Sequence, residues 1–298
     1  MSRYYKFVDN NIPSLEGKNV MIIGATGSLG GSLCDYLLRL KANLLITMRN
    51  KVKGEKLVAR LKEKYPDSNI SLFDLDLASI SSCKSFIDNS LKLDIDYLVL
   101  SAAVYHLKRT MVENDFEIHF LTNYVNQLRI VEALKDNIKN RNGKIIMVGS
   151  ISYRFSKENF DDIMSLKVIN KTKIYARSKR LAMIHCSYLK STGYPLVLAH
   201  PGVSPTGLFN AGGFGKLFNI LIVPIMKLIF MSPKKAALSI LYAFGKDVKE
   251  GYQIGPRGLF HVWGYPTVYK LHKSVLDRSK QEDVVDMFKY MISIGMEE

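Results

Sequence analysis

Short apolar runs recur along the chain with helix-patterned stretches between them, and this alternation constrains the fold more than any other feature. NVMIIG (19–24), NLLIT (43–47), ISLFD (70–74), YLVLSAA (97–103), KIIMVGS (144–150) and PLVLAH (195–200) read as strands. Leu29 to Arg39, Lys53 to Lys64, Ile80 to Ser90, Asp115 to Ile138 and Thr172 to Ser191 carry helical periodicity. Continuous apolar strands separated by helices indicate βαβ units, in which a parallel sheet is covered on both faces. Such crossovers are right-handed almost without exception. No change of composition marks a linker, so residues 1–298 are expected to form a single α/β domain with a doubly wound, mostly parallel sheet.

The first strand runs directly into GATGSLGG (24–31) and then an amphipathic helix. A glycine-rich turn at that position leaves backbone N–H groups free at the positive end of the helix, with no side chain to block a pyrophosphate. Its placement after the first strand favours the phosphate turn of a Rossmann fold over a tight turn that holds no ligand, with Gly24, Thr26, Gly27, Ser28, Leu29 and Gly30 as candidate contacts. An NAD-binding unit needs an acid about 20 residues further on to hold the adenosine 2′-hydroxyl. Here no Asp or Glu occurs between Asp35 and Glu55. The second strand ends instead in TMRNKVK, where Arg49, Lys51 and Lys53 suit a 2′-phosphate, so NADP(H) is the expected cofactor.

Composition narrows the partners. The net charge is +15, but the 42 Lys and Arg are spread along the whole chain without an arginine-rich arm or aromatic-interleaved repeat, so nucleic acid is not expected. A solvated lysine-rich surface accounts for most of the charge, with attraction to an anionic membrane or substrate as the sharper reading. Cys34, Cys83 and Cys186 are an odd, dispersed set that supports neither a disulfide framework nor a metal site. They are expected to be small buried residues in a cytoplasmic protein. The opening MSRYYKFVDNNIP lacks the apolar stretch of a secretory signal.

KIYARSK (173–179) places a tyrosine one helical turn before a lysine, but with 16 tyrosines that spacing recurs at Tyr153/Lys157, Tyr242/Lys246 and Tyr269/Lys273. In an open parallel sheet the ligand lies beyond the carboxyl ends of the strands, and reactive groups come from those ends and the helices that start there. Tyr175 alone combines a helix, an upstream strand-end serine (Ser150) and a place beside the expected cofactor. It is the candidate acid–base group.

Taken in order, GATGSLG, the Arg49 loop, LDLAS (75–79), LSAAV (100–104), FLTNYVNQ (120–127), VGS (148–150), YARSK and HPGVSPT (200–206) resemble the short-chain dehydrogenase/reductase family. The resemblance covers about residues 15 to 265 and is specific to the branch containing retinol dehydrogenases and related carbonyl reductases. It implies an oxidoreductase interconverting a carbonyl and an alcohol, with Tyr175 as proton donor and acceptor. It further implies that Lys179 holds the nicotinamide ribose and lowers the tyrosine pKa, that Ser150 hydrogen-bonds the substrate oxygen, and that Asn123 supports a water-linked proton route to Lys179. Asp76, with Leu77, would meet the adenine, Asp74 competing for that contact. Ala102 would line the cofactor, and Val203 with Thr206 would meet the carboxamide. MSPKKAA (231–237) is similar to the family's usual entry to its last large helix.

The chain also departs from the family pattern. Ser28 replaces the middle glycine of its commonest cofactor turn, Ser101 stands where Asn usually opens the turn after the fourth strand, and Asn126-Gln127 replaces a common Gly-His. The Gly24-x-x-Gly27-x-x-Gly30 spacing also suits a sugar-nucleotide epimerase or dehydratase, and a non-catalytic NADP-sensing protein is the third class. HPGV and the absence of an extended substrate domain weigh against the former, and the four filled catalytic positions against the latter. The most apolar stretch, LFNILIVPIMKLIFM (217–231), contains Asn219, Pro224 and Lys227 and is shorter than the ~20 residues a membrane crossing needs. By resemblance it belongs to a substrate lid (207–235), which implies a bulky apolar carbonyl or alcohol, with an ordinary core helix as the alternative. Lys216, Lys234 and Lys235 beside it leave peripheral membrane contact open, as homo-oligomerisation also remains.

Overall fold

The computed structural model describes residues 3–203 and 231–295. Its elements run α1 (Arg3–Asn11), β1 (Asn19–Ile23), α2 (Ser28–Arg39), β2 (Asn43–Met48), α3 (Lys51–Lys64), β3 (Ile70–Asp74), α4 (Ile80–Ser90) and β4 (Tyr97–Leu100). After these come α5 (Ile118–Phe120), a π-helical turn (Leu121–Val125), α6 (Asn126–Asn140), β5 (Lys144–Val148), α7 (Lys171–Ser191) and β6 (Leu196–Ala199). The chain continues through α8 (Pro233–Gly245), β7 (Tyr252–Pro256), β8 (Pro266–Lys270) and α9 (Arg278–Gly295).

All eight strands lie in one sheet of order β3-β2-β1-β4-β5-β6-β7-β8, parallel throughout except for β8, which pairs antiparallel with β7. The doubly wound α/β expectation is correct, and all six strands read from the sequence are present. One apolar cluster packs α4, α6, α7 and α9 on one face, and a second packs α1, α2, α3 and α8 on the other. With both faces covered, strands such as Val20–Ile23 and Ile145–Met147 are buried at every position, which is why they show no polar alternation. The order reverses between β1 and β4, so a crevice opens at their carboxyl ends.

Several expectations need correction. β4 stops at Leu100 and β5 at Val148, because the residues that follow turn away to meet side chains from other elements. The long helix expected from Asp115 begins at Ile118, after Glu117 caps it by accepting from the N–H groups of His119 and Phe120. A π turn then interrupts it at Leu121–Val125. The helix entered at Pro233 is not the last large one, since β7, β8 and the 18-residue α9 follow it. Of the expected lid, 207–230 lies outside the described residues, as does Thr206, and 233–235 belong to the first turn of α8. No described helix is long and apolar enough to cross a membrane. The three cysteines are buried and free, and burial raises their thiol pKa values, those of Cys34 and Cys83 to about 12.

Candidate active site

The glycines after β1 have distinct physical jobs. Gly24 has φ +93°, and a Cβ there would lie 2.7 Å from the Ala102 backbone; a Cβ on Gly30 would lie 2.3 Å from the Gly24 carbonyl oxygen. Both are required by close backbone approach, from β4 and from within the turn. Gly27 differs, because a Cβ there would meet nothing closer than 3.5 Å. It is the N-cap of α2, with no side-chain cap, and Thr26, Gly27 and Ser28 are exposed. The first N–H groups of α2 therefore face open space at the positive end of the helix, an arrangement that fits a pyrophosphate. Gly27→Ala should keep the wild-type melting temperature while weakening dinucleotide binding, whereas Gly30→Ala should fail to fold stably. Thermal denaturation with a cofactor titration checks both.

Beside this turn a cleft of about 1110 Å³ is lined by Thr26, Gly27 and Ser28 and by Lys53, Lys56 and Arg60 from α3. It adjoins the glycine turn and does not reach Tyr175. Arg49, just beyond β2, is exposed and has no carboxylate partner among the described residues. Its neighbour Asn50 caps α3 by accepting from the Lys53 N–H, so the Arg49 loop is fixed by hydrogen bonding.

The segments after β3 and β4 are held by α5–α6 and the intervening π turn. Asp76 accepts from the Ala78 N–H at 2.9 Å and is partly exposed, while Asp74 is exposed at the strand end. Leu77 is buried, and its carbonyl accepts from Asn126 Nδ2 at 3.0 Å. Ala102 offers its carbonyl to Gln127 Nε2 at 2.9 Å, and the Ser101 hydroxyl donates to the Ile23 carbonyl. The three departures Ser101, Asn126 and Gln127 thus brace the cofactor-side loops. Asn123, inside the π turn, is fully buried; its Oδ1 accepts from the Val104 N–H (2.8 Å) and its Nδ2 donates to the Val104 carbonyl (2.9 Å). Its side chain clamps the loop as a neighbouring strand would. It also donates to Ser178 Oγ at 3.0 Å, and that hydroxyl donates to the Tyr175 carbonyl. Insertion of a π turn is what rotates this asparagine toward both partners.

Asn170 caps α7 by accepting from the N–H groups of Thr172 and Lys173, which starts the helix at Lys171, four residues before Tyr175. Tyr175 meets Tyr105 edge-on at 4.8 Å and lies near Ser150. Burial raises its pKa above the ordinary 10, Ser150 pulls it back, and Tyr105 raises it again. Ser150 caps the short 3-10 turn Ile151–Phe155 and accepts from the Ser152 hydroxyl at 2.9 Å. Lys179 is buried one turn along α7, where burial pushes its pKa down to about 8, and its Nζ donates to the Val148 carbonyl at 3.0 Å. The expected lowering of the tyrosine pKa by Lys179 is absent from this arrangement: burial dominates the Tyr175 pKa, and the ammonium is directed at the Val148 carbonyl.

The rival tyrosines have other work. Tyr153 is buried and accepts from Gln253 Nε2 and the His272 N–H; Tyr242 packs beside Phe7, with Lys246 over its ring; Tyr269 pairs with His200 and stacks on His261. Val203 donates its N–H to the Val262 carbonyl and accepts at its own carbonyl from the Met231 N–H, which leaves mainly its side chain for a ligand. Tyr105, Ser152 and Ser178 went unnoticed in the sequence. Only Ser178 carried a signal there, as the residue directly before the lysine of YARSK.

The short chain dehydrogenase family model matches residues 18–160. The chain is similar to retinol dehydrogenase 14 of Mus musculus, 26% identical with 94% of this chain and 87% of that protein covered. It is also similar to polyprenol dehydrogenase of Danio rerio, at 25% identity over 81% and 78%. Among solved structures, an uncharacterised protein from Mycobacterium paratuberculosis superposes with a TM-score of 0.74 at 21% identity, covering 95% of this chain and 96% of that one. An alcohol dehydrogenase from Thermococcus sibiricus complexed with 5-hydroxy-NADP gives 0.59 at 19% identity over 78% and 93%.

Proposed function

Since the chain belongs to the short-chain dehydrogenase/reductase family, in its retinol dehydrogenase-like branch, we propose that it interconverts a carbonyl and an alcohol on a bulky, apolar substrate with NADP(H). The observation that carries the reading is that Tyr175 lies near enough to Ser150, just past β5, for that serine to pull its pKa down, with Lys179 buried one turn away. When bound, the nicotinamide supplies or accepts the hydride at the substrate carbon. Tyr175 gives the oxygen its proton during reduction and takes it back during oxidation. Ser150 donates to the same oxygen, where negative charge develops. Lys179 is mostly cationic at neutral pH and holds the ribose hydroxyls, while Asn123 keeps the Val104 loop and, through Ser178, the Tyr175 backbone in place.

Two lines support NADP(H): no acid follows β2, and Arg49 is exposed without a carboxylate partner among the described residues. The apolar composition of 217–231 and the names of the retinol and polyprenol dehydrogenase relatives support a large apolar substrate. An NADPH-consumption screen over aldehydes, ketones and steroid-like compounds tests the proposal. Turnover of bulky apolar carbonyls is expected, and turnover confined to small polar ones would sink the substrate class. Arg49→Ala should weaken NADPH binding roughly 10- to 100-fold, the worth of one charge-assisted contact, with little effect on NADH. Equal losses for both cofactors would show that Arg49 does not read the 2′-phosphate.

A further inference from the structure

A proton donor has to be aimed as well as protonated. The phenol of Tyr175 turns about two side-chain torsions, and misplacing a reacting group by about 1 Å costs on the order of 10²-fold in rate. Lys179 does not supply the hold here, since its ammonium is directed at the Val148 carbonyl. Among the described residues, the ring that meets Tyr175 is Tyr105, with centroids 4.8 Å apart and planes at 88°. Edge-to-face packing is directional, because the positive edge of one ring faces the negative face of the other. It fixes the plane of a ring as well as its place.

Tyr105 can do this only if it is itself held. The residue before it is gripped at both backbone polar groups: Asn123 Oδ1 accepts from the Val104 N–H, and Asn123 Nδ2 donates to the Val104 carbonyl. The same Nδ2 donates to Ser178 Oγ, which donates to the Tyr175 carbonyl. One fully buried amide therefore stands one residue from Tyr105 and one hydroxyl from the Tyr175 backbone. On the other side, His106 stacks on the Tyr105 ring at 5.6 Å and takes φ +57°, a left-handed conformation that histidine adopts more readily than most residues. The far end of the loop is pinned too: the Thr110 carbonyl accepts from the Ile118 N–H, and Arg109 donates to the Val168 carbonyl. A ring on a loop anchored at both ends can position its neighbour.

We propose that Tyr105 is a positioning residue for Tyr175: held by the Asn123 clamp on Val104, its ring fixes the plane in which the Tyr175 hydroxyl meets the substrate oxygen. The catalytic consequence rests on the carbonyl–alcohol reading above. The contact also has an electrostatic sign. Two groups from other elements act on the Tyr175 phenol, Ser150 after β5 pulling its pKa down and Tyr105 after β4 raising it. Reduction needs the protonated phenol, so loss of Tyr105 should move the alkaline limb of reduction to lower pH, and loss of Ser150 to higher pH.

Carbonyl reduction by Tyr105→Leu, Tyr105→Phe and the double variant Tyr105→Leu/Tyr175→Phe tests the proposal. Tyr105→Leu keeps apolar bulk but removes the ring, and should lower kcat about three- to tenfold with NADPH affinity unchanged. Tyr105→Phe restores the ring and should recover kcat to within about twofold of wild type. In the Tyr175→Phe background Tyr105→Leu should cost nothing further, because a residue that acts through Tyr175 has nothing left to act on. Wild-type kcat in Tyr105→Leu overturns the proposal. So does a further loss in the double variant, because Tyr105 then acts on the substrate itself. An ultraviolet tyrosinate titration, wild type minus Tyr175→Phe, reads the Tyr175 pKa without turnover. Repeated in the Tyr105→Leu background it should give a lower value, and an unchanged value overturns the proposal as well. A chain that reduces no carbonyl yet shows this shift would leave the pairing of the two tyrosines standing and remove only the proposed reaction.

Discussion

Tyr175→Phe is expected to lower kcat for carbonyl reduction by about 10²- to 10⁴-fold, the usual contribution of a positioned proton donor, with NADPH affinity and melting temperature near wild type. The substitution removes one hydroxyl and keeps the ring that packs edge-on against Tyr105. Undiminished turnover, followed by loss of NADPH absorbance, would take Tyr175 out of the mechanism. The pH dependence follows from the environment. Burial raises the Tyr175 pKa, so the proton needed for reduction is in place throughout the neutral range. Ser150 pulls that pKa down, and Ser150→Ala should therefore move the alkaline limb of reduction to higher pH as well as slowing it. Lys179, held at about 8 by burial, loses its ammonium above that pH, and KM for NADPH should rise there.

The largest stability effect is expected one residue beyond Lys179. Arg180 is 3% exposed and donates to Glu158, to the Tyr153 carbonyl, and to the hydroxyl and carbonyl of Ser274. It ties the loop after Ser150 to α7 and to the segment before α9. Burial pushes the Glu158 pKa up, but the Arg180 hydrogen bond, helped by Lys280, more than offsets this and brings it from 4.5 to about 2. Arg180→Ala leaves that carboxylate buried with only Lys280 beside it, and should cost about 3–5 kcal/mol. At about 2–4 °C per kcal/mol, the melting temperature should fall by roughly 10 °C.

The same pair gives an acid signature. Because the folded pKa lies below the unfolded one, the stabilisation of about 3 kcal/mol is complete above pH 4.5 and disappears as pH falls toward 2. Denaturation across that range should show the slope in wild type and a flatter one in Arg180→Ala. Identical slopes would mean that Glu158 is not held by Arg180.

Local chemistry made much of this protein legible in its sequence. Strands buried on both faces must be apolar throughout, so β1, β2, β4, β5 and β6 stood out. A turn that lets backbone pass backbone must be glycine, which marked Gly24 and Gly30. The missing acid after β2 and the Tyr175–Lys179 spacing depend on one element each, and were equally visible. Other features depend on which residues meet across the fold, and no local pattern encodes that. β7 and β8 escaped because β7 carries Gly255 and Pro256, and β8 is a half-exposed edge strand beginning at a proline. The π turn differs from a helix by one inserted residue, which hydrophobic periodicity does not resolve. Tertiary structure alone decided that Asn123 would clamp Val104, that Asn126 and Gln127 would brace the loops of β3 and β4, and that Lys179 would face a carbonyl instead of the tyrosine. In each case a buried polar group takes the nearest partner the packing provides, and only the assembled sheet and helices determine which group is nearest.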